Sequence, residues 1–130
     1  MRGFQQPTIP PIPPHVDLTG QTIVVTGAAR GLGYETSLQI LRLRASTVIL
    51  GVRDLDKGKA ARARLLEDGE IGRVNADCVI KVLQLDLADF QSVVAFADRV
   101  IGEAKRLDVL LLNAGINLAR FSTTTDGHEM

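Results

Sequence analysis

Short apolar segments alternate with longer amphipathic segments from residue 22 to residue 112. The apolar segments are rich in Val, Ile and Leu, which is typical of buried strands. The longer segments have apolar residues at helical spacing. The pattern predicts strands at Thr22–Val25, Thr47–Val52, Val79–Leu85 and Asp108–Leu112, and helices at Gly31–Leu43, Asp56–Glu67 and Asp89–Lys105.

This alternation of strands and helices indicates a parallel sheet joined by right-handed crossovers. Asp54 is placed to cap the second helix, and residues 68–77 are expected to form a loop. The third helix has the clearest apolar face, and we expect Phe96 and Val100 to be core. The residues at helical spacing on that face are Val93, Phe96, Ala97, Val100, Ile101 and Ala104.

All five prolines fall in the segment Pro7–Pro14, which precedes the first strand. Proline lacks a backbone N–H and has a fixed φ, so this segment favours an extended conformation. We therefore expect an arm at residues 1–16 and a globular domain at residues 17–130. The Pro-x-x-Pro spacings fit an SH3- or WW-type partner, and the alternative is a leader that lies against the body or is mobile.

The composition excludes several classes of protein. Fifteen basic and 15 acidic residues leave no net charge, which disfavours nucleic acid or a membrane surface as a partner. The apolar run Val109–Leu112 is far below the ~20 residues of a membrane span. Cys78 is the only cysteine, and no His/Cys cluster has metal-ligand spacing. These features predict a cytoplasmic protein without a metal site.

The candidate chemistry lies in the turn after the first strand, at residues 26–33. Gly27, Gly31 and Gly33, with Arg30 and Leu32 between them, stand between a strand and a helix. Glycine allows a sharp turn and a close approach to phosphate groups, whose charge the N-terminus of a helix attracts. The turn predicts a cradle for a dinucleotide pyrophosphate. The alternative is that the glycines only allow the helix to pack tightly on the strand.

With these elements placed, residues 17–130 resemble the N-terminal half of the short-chain dehydrogenase/reductase family. The turn at residues 26–33 is similar to the family's Thr-Gly-x-x-x-Gly-x-Gly. Thr125–Glu129 is similar to a segment of the retinol-dehydrogenase-like branch. Two further family motifs follow the third and fourth strands: Asp86-Leu87 and Asn113-Ala114-Gly115.

The resemblance implies a truncated Rossmann fold, with a parallel sheet of about four strands in the order 3-2-1-4. In that order the fourth strand is an unpaired edge, and an exposed apolar edge favours self-association. Relatives often have a serine that caps the third helix at the position of Ala88, and losing such a cap costs ~1 kcal/mol.

The resemblance also implies roles for the residues at the strand ends. Asp86 would reach the adenine amino group and Leu87 would cover the adenine ring, although Asp86 equally suits a turn hydrogen bond. Asn113, followed by Ala114 and Gly115, would tie neighbouring strands together beside the cofactor.

The end of the second strand bears on the choice between NAD and NADP. Val52 stands where relatives that use NAD have an acidic residue, and Arg53 follows it. Arg30 lies in the glycine turn, where basic residues accompany NADP use in this family. Arginine binds phosphate with paired hydrogen bonds, so the prediction is NADP. The alternative is that Asp54 reaches the ribose and that NAD is used.

The family's catalytic asparagine, serine, tyrosine and lysine would fall beyond Met130. The only tyrosine is Tyr34, and Leu38 stands four residues later, so no Tyr-x-x-x-Lys pair is present. By lineage the prediction is an NADP-dependent oxidoreductase that moves hydride between a ketone and an alcohol, with a small-molecule substrate in a full-length form. The motifs are similar to those of fungal members that modify secondary metabolites. Two alternatives stay open, a non-catalytic NADP(H)-binding module or inactive remnant, and an adaptor that uses the proline arm.

Overall fold

The alternation predicted from the sequence is present in the computed structural model, which describes residues 6–116 and 119–129. Within those residues the elements follow in this order: β1 (Thr22–Thr26), α1 (Gly31–Arg42), β2 (Thr47–Val52), α2 (Leu55–Leu66), α3 (Gly69–Val74), β3 (Val79–Gln84), α4 (Phe90–Glu103) and β4 (Val109–Leu111).

The four strands form one parallel sheet in the order β3-β2-β1-β4, which confirms the predicted order. Thr22 of β1 pairs with Thr47 of β2, and Ile23 pairs with Val109 of β4. The strand order reverses between β1 and β4, because the chain first adds strands on one side of β1 and then crosses to the other. Open α/β sheets bind their ligands at such a reversal, beyond the carboxyl ends of the strands.

The sheet is covered on both faces, so its central strands β1 and β2 are buried along nearly their whole length. Alternate residues of β1 point to opposite faces: Ile23 and Val25 lie in the core beneath α1, α2 and α3, and Val24 lies in the core beneath α4. On the α4 side, Phe96 and Val100 are buried against the sheet, as predicted.

The prediction that Ala97 and Ile101 share one apolar face with the buried residues of α4 is wrong. The side chain of Ile101 is 76% exposed, and Ala97 is also exposed. The helix lies over the β3 side of the sheet, where Glu103 pairs with Lys81 of β3 at 3.3 Å. The flank with Ala97 and Ile101 consequently has no element packed on it among the described residues.

The loop predicted at residues 68–77 is also wrong, because the segment contains helix α3. Asp68 caps this helix by accepting a hydrogen bond from the Ile71 N–H. Ile71 is fully buried beneath the helix, and Asn75 fixes its end by donating to the carbonyls of Leu41 and Ala45. Gly69, Gly72 and Asn75 favoured a loop in the sequence analysis. The helix forms because Ile71 is buried and because polar side chains bind the backbone at both of its ends.

Strand β4 is an edge of the sheet, and within the described residues it pairs only with β1. Leu110 is 49% exposed, and Leu112 is 79% exposed. The described part of the proline arm, residues 6–15, is exposed and contains no helix or strand. Among the described residues, no helix is both long enough and apolar enough to cross a membrane.

The turn before β1 predicts a pH-dependent stability. Asp17 accepts hydrogen bonds from the hydroxyl and the N–H of Thr19 and pairs with Arg44. These contacts lower the pKa of Asp17 from 3.8 to about 2, with the Thr19 hydroxyl as the largest cause. A folded-state pKa below the unfolded value stabilises the fold above pH 3.8, and this stability is lost as the pH falls towards 2. We expect Asp17→Asn to flatten the dependence of the unfolding midpoint on pH between 4 and 2.

The matched control is Thr19→Val, which removes the hydroxyl donor and keeps the carboxylate. It should flatten the same dependence in part. An Asp17→Asn protein with the acid dependence of the wild type would contradict this assignment. Urea unfolding followed by circular dichroism at several pH values makes the comparison.

The exposed edge predicts self-association. A second copy can pair with the free backbone groups of β4 and cover Leu110 and Leu112. We expect Leu110→Lys with Leu112→Lys to shift the chain towards monomer in light-scattering measurements over a concentration series. Ile9→Lys is the matched control, because Ile9 is equally apolar and 82% exposed but lies in the arm. A wild-type chain that stays monomeric at every concentration would contradict the expectation.

Candidate nucleotide-binding site

The glycine turn begins where β1 ends, at the reversal of strand order. Gly27 has φ +67° and Gly31 has φ +58°, a left-handed conformation that favours glycine. The Gly27 N–H donates to the carbonyl of Gly51 in β2 at 2.8 Å. The chain therefore leaves β1, passes through two glycines in the left-handed region and enters α1 at the carboxyl ends of the strands.

Gly31 and Gly33 have different physical roles. A Cβ on Gly33 would lie 2.4 Å from the carbonyl oxygen of Gly27 and 2.6 Å from Nδ2 of Asn113. Gly33 is therefore needed for packing, as the alternative explanation of the turn proposed. A Cβ on Gly31 would meet nothing within 4 Å. Packing does not explain Gly31, and its open side is the kind of space that a ligand can fill.

The N-terminus of α1 differs from the other helix N-termini in the described residues. Asp54, Asp68 and Asp89 cap α2, α3 and α4 through side-chain hydrogen bonds. Arg30 precedes α1 with an extended backbone and makes no such bond, and the first turn of α1 contains no acidic residue. The first N–H groups of α1 therefore remain available to an external acceptor, and the helix dipole favours an anion there.

The strand ends enclose a groove of about 690 Å³, which is within the range of ligand-binding clefts. The end of β2 and the residues that follow β1, β3 and β4 form its wall. Nine of the predicted site residues line it: Gly27, Arg30, Gly31, Arg53, Asp86, Leu87, Asn113, Ala114 and Gly115. The other two do not, since Leu32 is exposed outside the groove and Gly33 is buried behind it.

The end of β4 is fixed to the glycine turn. The Asn113 side chain donates to the carbonyls of Thr26 and Gly27, at 3.0 and 3.5 Å. The backbone N–H groups of Asn113 and Ala114 both donate to the Thr26 hydroxyl at 3.0 Å. Asn113 thus ties β4 to β1 beside the groove, the position that the family resemblance implies for it.

At the end of β3, Asp86 makes the turn hydrogen bond that the sequence allowed. Its Oδ1 accepts from the Ala88 N–H at 2.9 Å, and its own N–H donates to the Ser92 hydroxyl. Asp86 and Leu87 also line the groove, and Leu87 is half exposed. The turn bond alone does not explain why an apolar side chain is exposed there.

The expectation that Ala88 leaves α4 uncapped is wrong. Asp89 accepts from the Gln91 N–H, and Asp126 accepts from the Phe90 N–H at 2.8 Å. Thr125 donates to the Ala88 carbonyl, and the rings of Phe90 and His128 stack at 5.0 Å. Residues 123–129 therefore close over the start of α4, and two of them, Thr124 and Glu129, extend the groove wall.

A basic wall is the feature that the sequence interpretation described only in part. Four cationic side chains line the groove: Arg30, Arg53, Lys57 and Arg64. Arg30 and Arg53 were predicted, whereas Lys57 and Arg64 were missed. The signal was the spacing Lys57, Ala60, Ala61 and Arg64 in α2, which places all four residues on one helix face.

Asp54 is accounted for by the structure of α2. Its Oδ1 accepts from the N–H groups of Asp56 and Lys57, at 3.0 and 3.1 Å. Its Oδ2 lies 3.7 Å from the Lys57 Nζ. These contacts lower the pKa of Asp54, and the hydrogen bond from the Lys57 N–H is the largest cause. Asp54 also lines the groove, so its alternative role, a contact with a ribose, stays open.

A parallel sheet with a glycine turn at the reversal of strand order defines a Rossmann-type nucleotide-binding fold. The sequence model described as short chain dehydrogenase matches residues 21–129. The chain therefore belongs to the short-chain dehydrogenase/reductase family.

Similar proteins come from fungi and from animals. The chain is 44% identical over 129 residues to the short chain dehydrogenase macD of Penicillium terrestre, which covers 99% of this chain and 39% of that protein. It is 37% identical to mouse retinol dehydrogenase 12, over 88% of this chain and 34% of that protein. The chain thus spans less than two fifths of the length of these relatives.

Solved structures agree with this fold. The menthone neomenthol reductase of Mentha piperita matches with TM-score 0.64 and 37% identity, over 75% of this chain and 32% of that one. A metagenomic short-chain oxidoreductase in complex with NADP matches with TM-score 0.59 and 32% identity, over 76% of this chain and 41% of that one.

The packing role of Gly33 predicts that a methyl group added there destabilises the fold. Gly33→Ala forces the Cβ against the Gly27 carbonyl and the Asn113 amide, and we expect a loss of about 1–3 kcal/mol in the free energy of unfolding. Gly72→Ala is the matched control, because its Cβ would lie in open space inside α3. It should raise stability by about 0.4–1 kcal/mol. Equal stabilities in urea unfolding would contradict the packing role of Gly33.

Proposed function

We propose that the groove binds NADP(H), and that this chain is the cofactor-binding part of an oxidoreductase that moves hydride between a ketone and an alcohol. The observation that carries the proposal is the uncapped N-terminus of α1, which follows the left-handed Gly31 at the groove wall. A diphosphate supplies the acceptors that these N–H groups lack, and its charge is favoured by the helix dipole.

The residues present fit the cofactor at both ends of the groove. The open space beside Gly31 admits a pyrophosphate close to the backbone. Leu87 and Asp86 lie where an apolar surface and an acceptor suit an adenine ring and its amino group. At the end of β4, the groove is lined by Ala114, which has only a methyl group, and by Gly115, which has no side chain, and this leaves room for the nicotinamide half.

The basic wall supports NADP over NAD. Among the described residues, neither Arg30 nor Arg53 pairs with a carboxylate, and the Asp54 carboxylate is bound to the α2 N-terminus. A 2′-phosphate between the two arginines would receive charge-assisted hydrogen bonds. In support, the metagenomic relative was solved with NADP, and an alcohol dehydrogenase of Thermococcus sibiricus that is 26% identical was solved with 5-hydroxy-NADP.

When bound, the cofactor would supply the hydride acceptor or donor of the reaction. The described residues supply binding and orientation: N–H donors of α1 for the diphosphate, arginines for the ribose phosphate, and Asn113 as the tie between β4 and the glycine turn. Tyr34, the only tyrosine, lies in α1 with its ring against Arg64 and does not line the groove.

The proposal has two forms, which differ in whether the 130-residue chain itself carries the activity. In the first, a longer product with the family's tyrosine and lysine carries the activity. In the second, the 130-residue chain is a nucleotide-binding module. Losing a general acid–base typically costs ~10²–10⁴-fold in rate. We therefore expect this chain to bind NADPH with no measurable reduction of a ketone substrate, which a spectrophotometric assay beside a binding titration would establish.

Arg53 provides the direct test of cofactor choice. We expect the chain to bind NADPH more tightly than NADH, and Arg53→Ala to weaken NADPH about tenfold while it changes NADH less than twofold. Isothermal titration calorimetry measures both dissociation constants. Arg73→Ala is the matched control, because this exposed arginine lies in α3, does not line the groove and pairs with Glu70. An equal loss of NADH and NADPH would contradict the assignment of Arg53.

A further inference from the structure

Arg64 is far from the glycine turn in sequence, yet its guanidinium lies beside it. It stands in the last turn of α2, and its Cζ is 4.4 Å from the centroid of the Tyr34 ring. Tyr34 lies one helical turn after Arg30 and donates its N–H to the Arg30 carbonyl. The contact therefore brings Arg64 to the same end of α1 as Arg30.

The face of α2 between Lys57 and Arg64 is shaped to let a ligand approach. Ala60 and Ala61 separate the two cations along the groove wall. The side chain of Ala61 is buried and that of Ala60 is a single methyl group, so neither extends far into the groove. Among the described residues, Arg64 forms no ion pair with a carboxylate, in contrast to Lys59 on the outer face of α2, which lies 3.8 Å from Asp56.

A ring contact is a suitable way to hold an arginine that must bind an anion. The aromatic face attracts the flat face of the guanidinium and leaves the N–H groups around its edge free to donate. Holding the side chain in place also reduces the conformational entropy that it would lose when it binds. A carboxylate partner would hold Arg64 equally well, but it would occupy the donors and repel a phosphate.

We propose that Arg64, held over the ring of Tyr34, is a specificity-determining residue that binds the 2′-phosphate of the cofactor together with Arg30 and Arg53. Tyr34 is a positioning residue, because it acts through Arg64. This inference rests on the proposed function, and it adds a third arginine from the opposite end of α2 to the two predicted from the sequence.

The test compares four variants by calorimetric titration with NADPH, NADH and 2′,5′-ADP, which carries the phosphate without the nicotinamide. Arg64→Ala should weaken NADPH and 2′,5′-ADP about tenfold and change NADH less than twofold. Tyr34→Leu should weaken NADPH about threefold, because the ring contact is lost, and Tyr34→Phe should keep wild-type affinity. Lys59→Ala removes one positive charge from the outer face of the same helix and should leave all three ligands unaffected.

The outcomes separate this inference from the function on which it rests. If the wild type prefers NADPH and Arg53→Ala removes the preference while Arg64→Ala does not, the proposed function stands and the inference is overturned. Equal weakening of NADPH and NADH in Arg64→Ala would assign Arg64 to the structure of α2 and overturn the inference too. If the wild type binds neither dinucleotide, both proposals fail.

Discussion

The hydroxyl of Thr26 is the contact on which the geometry of the groove depends. It is buried at the end of β1, accepts hydrogen bonds from the N–H groups of Asn113 and Ala114, and lies 3.4 Å from the Leu111 carbonyl as a donor. One side chain thus satisfies three backbone groups where β4 ends. These hydrogen bonds hold the ends of β1 and β4 in one arrangement.

That arrangement in turn fixes α1. The Asn113 amide reaches the carbonyls of Thr26 and Gly27, and it occupies the space that a Cβ on Gly33 would need. The helix can approach the sheet only because Gly33 has no side chain. The close approach places the uncapped N–H groups of α1 directly at the reversal of strand order. The anion site that we propose is therefore a consequence of how the strand ends are tied.

Most of the fold could be predicted from the sequence because the strands are short, apolar on both faces and separated by helical segments. The strand order followed from the family resemblance, and the caps of α2 and the core role of Phe96 and Val100 followed from local patterns. The errors arose where tertiary packing decides. Ile71 makes a helix out of a glycine-containing segment, and Ile101 is exposed because α4 lies to one side of the sheet.

The site residues also divide into those that local sequence patterns locate and those that tertiary packing brings together. Gly27, Arg30, Arg53, Asp86 and Asn113 stand at fixed distances from strand ends, so a motif can locate them. Arg64 belongs to no strand end, and it reaches the groove because α2 and α1 lie on the same face of the sheet, where Arg64 meets Tyr34. Asp126 is similar, because it caps a helix that begins 36 residues earlier. Contacts of this kind depend on the angle between elements, which a local pattern does not contain.

The most direct test of the central claim is to follow the backbone amide resonances of the 130-residue chain by NMR while NADPH is added. Binding of the diphosphate to the N-terminus of α1 predicts saturable shifts that are largest at Gly31, Leu32 and Gly33, with smaller shifts at Arg53 and Gly115. Saturable shifts confined to other residues would place the ligand elsewhere. The absence of any shift at millimolar NADPH would contradict the account of the groove as a dinucleotide site.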